Sequence, residues 1–124
     1  MTVSKRTALY LRSAEESDES INSQRERCRG FSDRRGWTVV AEYIDNGVSS
    51  SLKERPGMSD LMSLMTKGLI DCVVVDDFAR ISRNYADLRT FEDFCEQTGI
   101  ALVDASGNIG TKAFLGNISA IQGL

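Results

Sequence analysis

Arg12, Arg55, Arg80 and Arg83 each stand at the end of an apolar run or in a loop beyond one. Guanidiniums gathered at one edge of a fold can meet the charge that spreads over the non-bridging oxygens of a phosphate in transfer, and need no metal to do so. The chain has no histidine, which removes Ser/His/Asp and Cys/His nucleophilic schemes together with the commonest transition-metal ligand. Chemistry here must rest on arginine, lysine, carboxylates, hydroxyls or backbone. Asp76 and Asp77 offer a competing possibility, because paired carboxylates at a strand end hold magnesium or accept a phosphoryl group. Such a site wants a third acidic ligand, and Glu15, Glu16 and Asp45 reach it only if their loops fold back.

The elements that must position these side chains alternate in kind. Thr7 to Leu11 is a short apolar run that predicts a buried first strand, followed by a polar stretch from Arg12 to Ser23. Ser20, Asn22 and Ser23 precede a helix predicted to about Arg35, with Ile21, Cys28 and Phe31 as its apolar positions and Gly36 as its stop. Trp37 to Asp45 predicts a second strand, and Asn46 to Pro56, with three consecutive serines, a loop. Pro56 opens a helix carrying Met58, Leu61, Met62, Leu64 and Met65 and ending at Gly68. Ile70 to Val75, Tyr85 to Gly99 and Ile100 to Val103 continue as strand, helix and strand. Alternation of this kind predicts an α/β domain of three layers, helices on both faces of a mostly parallel sheet of four to five strands. Ligands are expected at the carboxyl ends of the strands. Thr111 to Leu124 reads as the first turns of a further helix, cut short.

With 124 residues, 41% of them hydrophobic, the chain suits one domain with one core and contains no repeat or linker. No run approaches the roughly 18 apolar residues of a membrane span, and the polar start lacks a signal peptide's apolar block, so a soluble cytosolic protein is expected. Cys28, Cys72 and Cys95 are odd in number and never spaced as C-x-x-C, which favours apolar filler over disulfides or zinc. The net charge of -3 argues against holding nucleic acid by bulk electrostatics. Yet 11 of the 15 basic residues are arginine, the side chain suited to a bidentate grip on phosphate. Arg25, Arg27, Arg29, Arg34 and Arg35, interleaved with Glu26 and Asp33, read as a solvated helix face, and Trp37 and Tyr43 as packing groups.

Several of these segments also form a recognisable series. Tyr10, Leu11 and Arg12 before a serine-containing loop, Ser23 and Gln24 at a helix start, Tyr43, Ile44, Asp45 and Gly47, then Glu54, Arg55 and Pro56 before a helix, and Arg80, Ile81, Ser82 and Arg83 after an apolar strand together resemble the catalytic domain of the serine recombinases, the resolvase/invertase and large serine integrase family. The resemblance spans nearly the whole chain. It implies a resolvase-like fold and site-specific recombination, in which serine hydroxyls attack phosphates of two double-stranded DNA sites, half-sites are exchanged by subunit rotation, and the strands are rejoined. The phosphoserine link retains the bond energy, so no nucleotide cofactor or metal is implied. It implies a homodimer assembling to a tetramer, and a DNA-binding domain and long terminal helix beyond residues 1–124. Arg12, Arg55, Arg80 and Arg83 would activate the nucleophile and stabilise the transition state, with Gln24 and Asp45 in support.

Two positions depart from that pattern. The family's nucleophile lies two residues after the first arginine, where this chain has Ala14. Ser13 is one place early, and a one-residue slip at a strand end turns a side chain to the opposite face. An inactive nucleophile site is therefore expected, and a catalytically silent relative serving as a dimerisation or regulatory module is the alternative. Ala79 stands where the family often has an aspartate that orients the next arginine; Asp76 and Asp77 are the carboxylates left nearby, and the sequence does not choose between them.

Overall fold

The computed structural model describes residues 5–48 and 54–110. Strands β1 (Arg6–Ser13), β2 (Thr38–Asn46), β3 (Cys72–Val75) and β4 (Ala101–Asp104) alternate with helices α1 (Asp18–Arg34), α2 (Pro56–Met65) and α3 (Tyr85–Thr98), and a 3-10 turn, Phe78–Arg80, follows β3. The sheet order is β2-β1-β3-β4 and every pairing is parallel. Parallel strands need crossovers, and helices supply them on both faces.

Side-chain alternation along the central strands divides the core in two. Ala8, Tyr10, Val73 and Val75 point to the layer of Met58, Leu61, Met65, Phe91 and Cys95 from α2 and α3. Leu9, Leu11, Cys72 and Val74 point to Ile21, Cys28 and Phe31 of α1, with Trp37. Three layers result, as the alternation predicts. Trp37 is 6% exposed and meets Phe31 edge-on at 5.5 Å, which makes it a packing group. The cysteines are buried apolar filler as expected, and burial pushes the Cys28 and Cys72 thiols up to about 12.

Several boundaries differ from the sequence expectation: α2 ends at Met65, short of Gly68, and β2 and β4 are each shifted by one residue. The first strand runs on through Arg12 and Ser13, because their main chains pair with Asp45 and Asn46 whatever their polarity. Helix α1 starts at Asp18, not near Ser23: the Ser17 hydroxyl accepts the Ser20 N–H at 3.1 Å, and Asp18 and Glu19 fill the first turn, both favourable at a helix N-terminus. The third strand begins at Cys72, two residues after Ile70. Gly99 closes α3 at φ 72°, a left-handed conformation that glycine adopts at little cost. The serine loop and the predicted terminal helix, Thr111 to Leu124, lie outside the described residues. Among the described residues no helix is long and apolar enough to cross a membrane.

Candidate active site

From β1 the chain crosses to β2 on one side, then returns to place β3 on the other, so strand order reverses between β1 and β3. Open α/β sheets leave a crevice at the carboxyl ends of such a strand pair. Here a cleft of about 390 Å³ occupies that place, lined by Arg12 and Ala14 beyond β1 and by Asp76, Asp77, Ala79, Arg80 and Arg83 beyond β3.

Arg12 is fixed at both ends. The Gln24 carboxamide, fully buried on α1, accepts the Arg12 N–H at 3.1 Å and donates to its carbonyl at 2.9 Å. The guanidinium donates to the carbonyls of Arg80 (2.9 Å), Ala79 (3.3 Å) and Val48 (3.4 Å). Burial, then the charges of Arg55, Arg80 and Arg83, draw its pKa below the ordinary value, although Tyr10 opposes them. The four arginines therefore share one electrostatic neighbourhood.

Arg55 is 1% exposed and lies beneath the surface. It donates to the carbonyls of Arg80 and Ile81, so it pins the same turn that Arg12 holds. Its placement follows from α2, whose N-cap is Arg55 itself and offers no capping side chain. Asp45 does that work from the end of β2, accepting the N–H groups of Gly57 at 2.7 Å and Met58 at 2.9 Å. Asp45 also accepts the Tyr10 hydroxyl at 2.7 Å; burial, then Asp45, push the Tyr10 pKa up. A carboxylate against a helix N-terminus is favourable on both hydrogen-bonding and dipole grounds. The fit leaves no room at residue 57, where a Cβ would stand 2.8 Å from the Ile44 carbonyl oxygen and 3.0 Å from the Asp45 carboxyl carbon.

Of the residues singled out from sequence, Arg12, Ala14, Arg80 and Arg83 meet in the cleft. Arg55 stands behind it, and Gln24 and Asp45 are supports. Ala14 is exposed, whereas Ser13 is 8% exposed and its hydroxyl donates to the Glu15 carbonyl. Asp77 caps the turn by accepting the Ala79 N–H at 2.8 Å, and Asp76 is engaged by Arg27 and Arg80. Among the described residues no group of three or more His, Cys, Asp or Glu side chains is placed to hold a metal ion. The donor set that a magnesium chemistry needs is not assembled there.

Several contributors escaped the sequence reading. Gly57 and Tyr10 act through Asp45. Asn46 accepts the Ser17 N–H at 2.8 Å and donates to Asp18 at 3.0 Å, which pins the start of α1 near the cleft. Only Ser17-Asp18-Glu19 carried a usable signal, that of a capped helix start. A larger cleft of about 610 Å³ lies between α1 and the loop after β4, lined by Glu26, Arg27, Gly30, Arg34, Ala105 and Ser106 with Asp76 and Asp77. It contains none of the arginines that beset Arg12, and the Arg27 charge is already matched by Asp76.

The order of these elements is that of a known family. Its profile, described as "Resolvase, N terminal domain", matches residues 7–121. The chain belongs to this family. A "Putative DNA recombinase" of Bacillus subtilis (strain 168) is 33% identical to this resolvase domain over 104 residues, 81% of the chain and 20% of that protein. The chain thus spans about a fifth of the length of that curated relative. The N-terminal catalytic domain of TP901-1 integrase is 27% identical with a TM-score of 0.78, covering 96% of this chain and 95% of that one. A resolvase family site-specific recombinase from Streptococcus pneumoniae, 23% identical at a TM-score of 0.77 over 96% of this chain and 86% of that one, shares the fold. The resolvase-like α/β architecture expected from the sequence is thereby established.

Proposed function

We propose that this chain is the catalytic domain of a serine-type site-specific DNA recombinase, with the nucleophile's position occupied by Ala14. The observation that carries the reading is the placement of Ala14, exposed in the same cleft as Arg12, Arg80 and Arg83. A hydroxyl at residue 14 would face a phosphate held by those guanidiniums. Its oxygen would bond to phosphorus as the bond from phosphorus to the deoxyribose oxygen breaks, and the proton that the hydroxyl gives up would be matched by the one the departing deoxyribose oxygen takes up to become a hydroxyl. Arg12, Arg80 and Arg83 would balance charge on the non-bridging oxygens, and Arg55 would add a buried positive charge behind them. Gln24 and Asp45 serve by fixing Arg12 and α2. Ser13 is a poor substitute, because its hydroxyl is turned to the Glu15 carbonyl. The substrate is double-stranded DNA, and the working assembly a homodimer that pairs into a tetramer.

Ala14 itself favours a second reading, in which the domain is catalytically silent and serves dimerisation or regulation. Strand cleavage separates the two. Full-length protein with Ala14→Ser, on a DNA site that it binds, is expected to give a covalent protein–DNA adduct that survives detergent, while the Ala14 form gives none. No adduct from Ala14→Ser would sink the recombinase reading and leave the silent relative. An adduct from both forms would place the nucleophile elsewhere, with Ser13 first to be tested.

A further inference from the structure

Ala79 has no carboxylate with which to orient Arg80, yet Arg80 is held. Val73 and Val75 face α2 and α3, and Cys72 and Val74 face α1, so the alternation carries Asp76 toward α1. There Arg27 grips it with both arms of the guanidinium, Nε to Oδ1 at 2.6 Å and Nη2 to Oδ2 at 2.9 Å. The same Oδ2 accepts Nη2 of Arg80 at 3.2 Å. Asp77 is committed to capping the turn, and Asp45 to the N-terminus of α2. Asp76, its side chain 10% exposed, is thus the carboxylate that meets Arg80.

The remaining contacts of Arg80 are weak. Nη1 reaches the Arg12 carbonyl at 3.4 Å, and Nε is buried without a partner among the described residues. A buried donor without a partner is costly, and Arg12 adds like-charge repulsion. Without a carboxylate the guanidinium has little reason to stay at the cleft wall.

We propose that Asp76 is the positioning residue for Arg80, replacing the carboxylate that residue 79 does not supply, and that Arg27 on α1 sets Asp76 in turn. A helix on one face of the sheet thereby aims a phosphate-binding group in the cleft. The proposal rests on the recombinase reading for its effect on cleavage, but not for the placement of the guanidinium.

The test therefore has two readouts. In this chain as it stands, NMR follows rotation of the Arg80 guanidinium, which is slowed when its Nη groups are held. Asp76→Asn is expected to release it, and adding Ala79→Asp to that variant to slow it again. In full-length protein carrying Ala14→Ser, Asp76→Asn is expected to lower the cleavage rate about 10- to 100-fold with DNA affinity nearly unchanged, and Ala79→Asp to recover most of the loss. A general structural role for Asp76 would not be repaired from residue 79. Unchanged Arg80 rotation in Asp76→Asn, or no recovery from Ala79→Asp in either readout, would overturn the proposal. If Ala14→Ser cleaves nothing, the recombinase reading fails while the NMR arm still decides the positioning.

Discussion

Arg12 and Arg55 on one side, and Arg80 and Arg83 on the other, are the same residue type in two settings. The first pair is 5% and 1% exposed and ends on main-chain carbonyls of the turn after β3. The second pair stands on and just after that turn, Arg80 with a 28% exposed side chain against a carboxylate, and Arg83 exposed. A buried cation must be matched or it destabilises the fold, so the inner arginines use their donors to shape the turn. The outer arginines keep donors that an incoming anion can take. The inner pair builds the cleft wall, from which Arg12 also lends its charge to the cleft, and the outer pair furnishes it.

That division breaks if the inner pair proves dispensable. Arg55→Ala takes the guanidinium partner from the Ile81 carbonyl, leaves the Arg80 carbonyl to Arg12 alone and opens a void, and is expected to lower unfolding stability by about 2–4 kcal/mol. Arg83→Ala is expected to change it by less than about 0.5 kcal/mol. Equal denaturant midpoints for the two variants would erase the distinction.

The support beneath Arg55 gives the next largest effect. Gly57→Ala forces a methyl against the Ile44 carbonyl and Asp45, and is expected to cost about 1–3 kcal/mol in chemical denaturation. A neutral result would mean that the start of α2 shifts freely and does not fix Arg55.

Acid sensitivity should come from outside the arginine cluster. Burial pushes the Glu42 carboxyl up, but Arg25 and Arg29 more than reverse this and hold it below its ordinary value. Its folded pKa is depressed, so its contribution is fully present above the unfolded value and is lost as pH falls through the folded one. With a half-exposed Arg29 the effect stays below about 1 kcal/mol. Glu42→Gln is expected to flatten the acid limb of a stability–pH curve, and Arg83→Ala to leave it intact.

The smallest effect sharpens the role of the outer pair. Inorganic phosphate at a concentration equal to its Kd stabilises the folded chain by about 0.4 kcal/mol. A thermal shift seen in the parent and reduced in Arg83→Ala would place the anion in the cleft; a shift indifferent to residue 83 would place it elsewhere.

Much of this arrangement was legible in the sequence. Apolar runs such as Thr7 to Leu11 and Ile70 to Val75, spaced by amphipathic helices, disclose a parallel α/β fold because burial on both faces demands them. Arg12, Arg80 and Arg83 were legible as a group because strand ends of such a sheet share an edge. What stayed hidden depends on main-chain atoms, which have no letter in a sequence. The carbonyls of residues 79–81 hold Arg12 and Arg55, and the N–H groups of Gly57 and Met58 receive Asp45. The Arg27–Asp76 pair was hidden for a related reason: a basic helix face looks solvated until its partner strand is placed beside it.

The sheet order also governs how the domain comes into being. β1 is one of the two inner strands and the first of the four to be synthesised, while β2 and β3 lie on either side of it. One of its edges stays open until residue 46 has emerged, and the other until residue 75. A nascent chain therefore carries an unpaired apolar edge, the kind of surface that invites misassociation, until β3 has emerged. The cleft, which draws on β1 and on the turn after β3, is assembled only after that edge has closed.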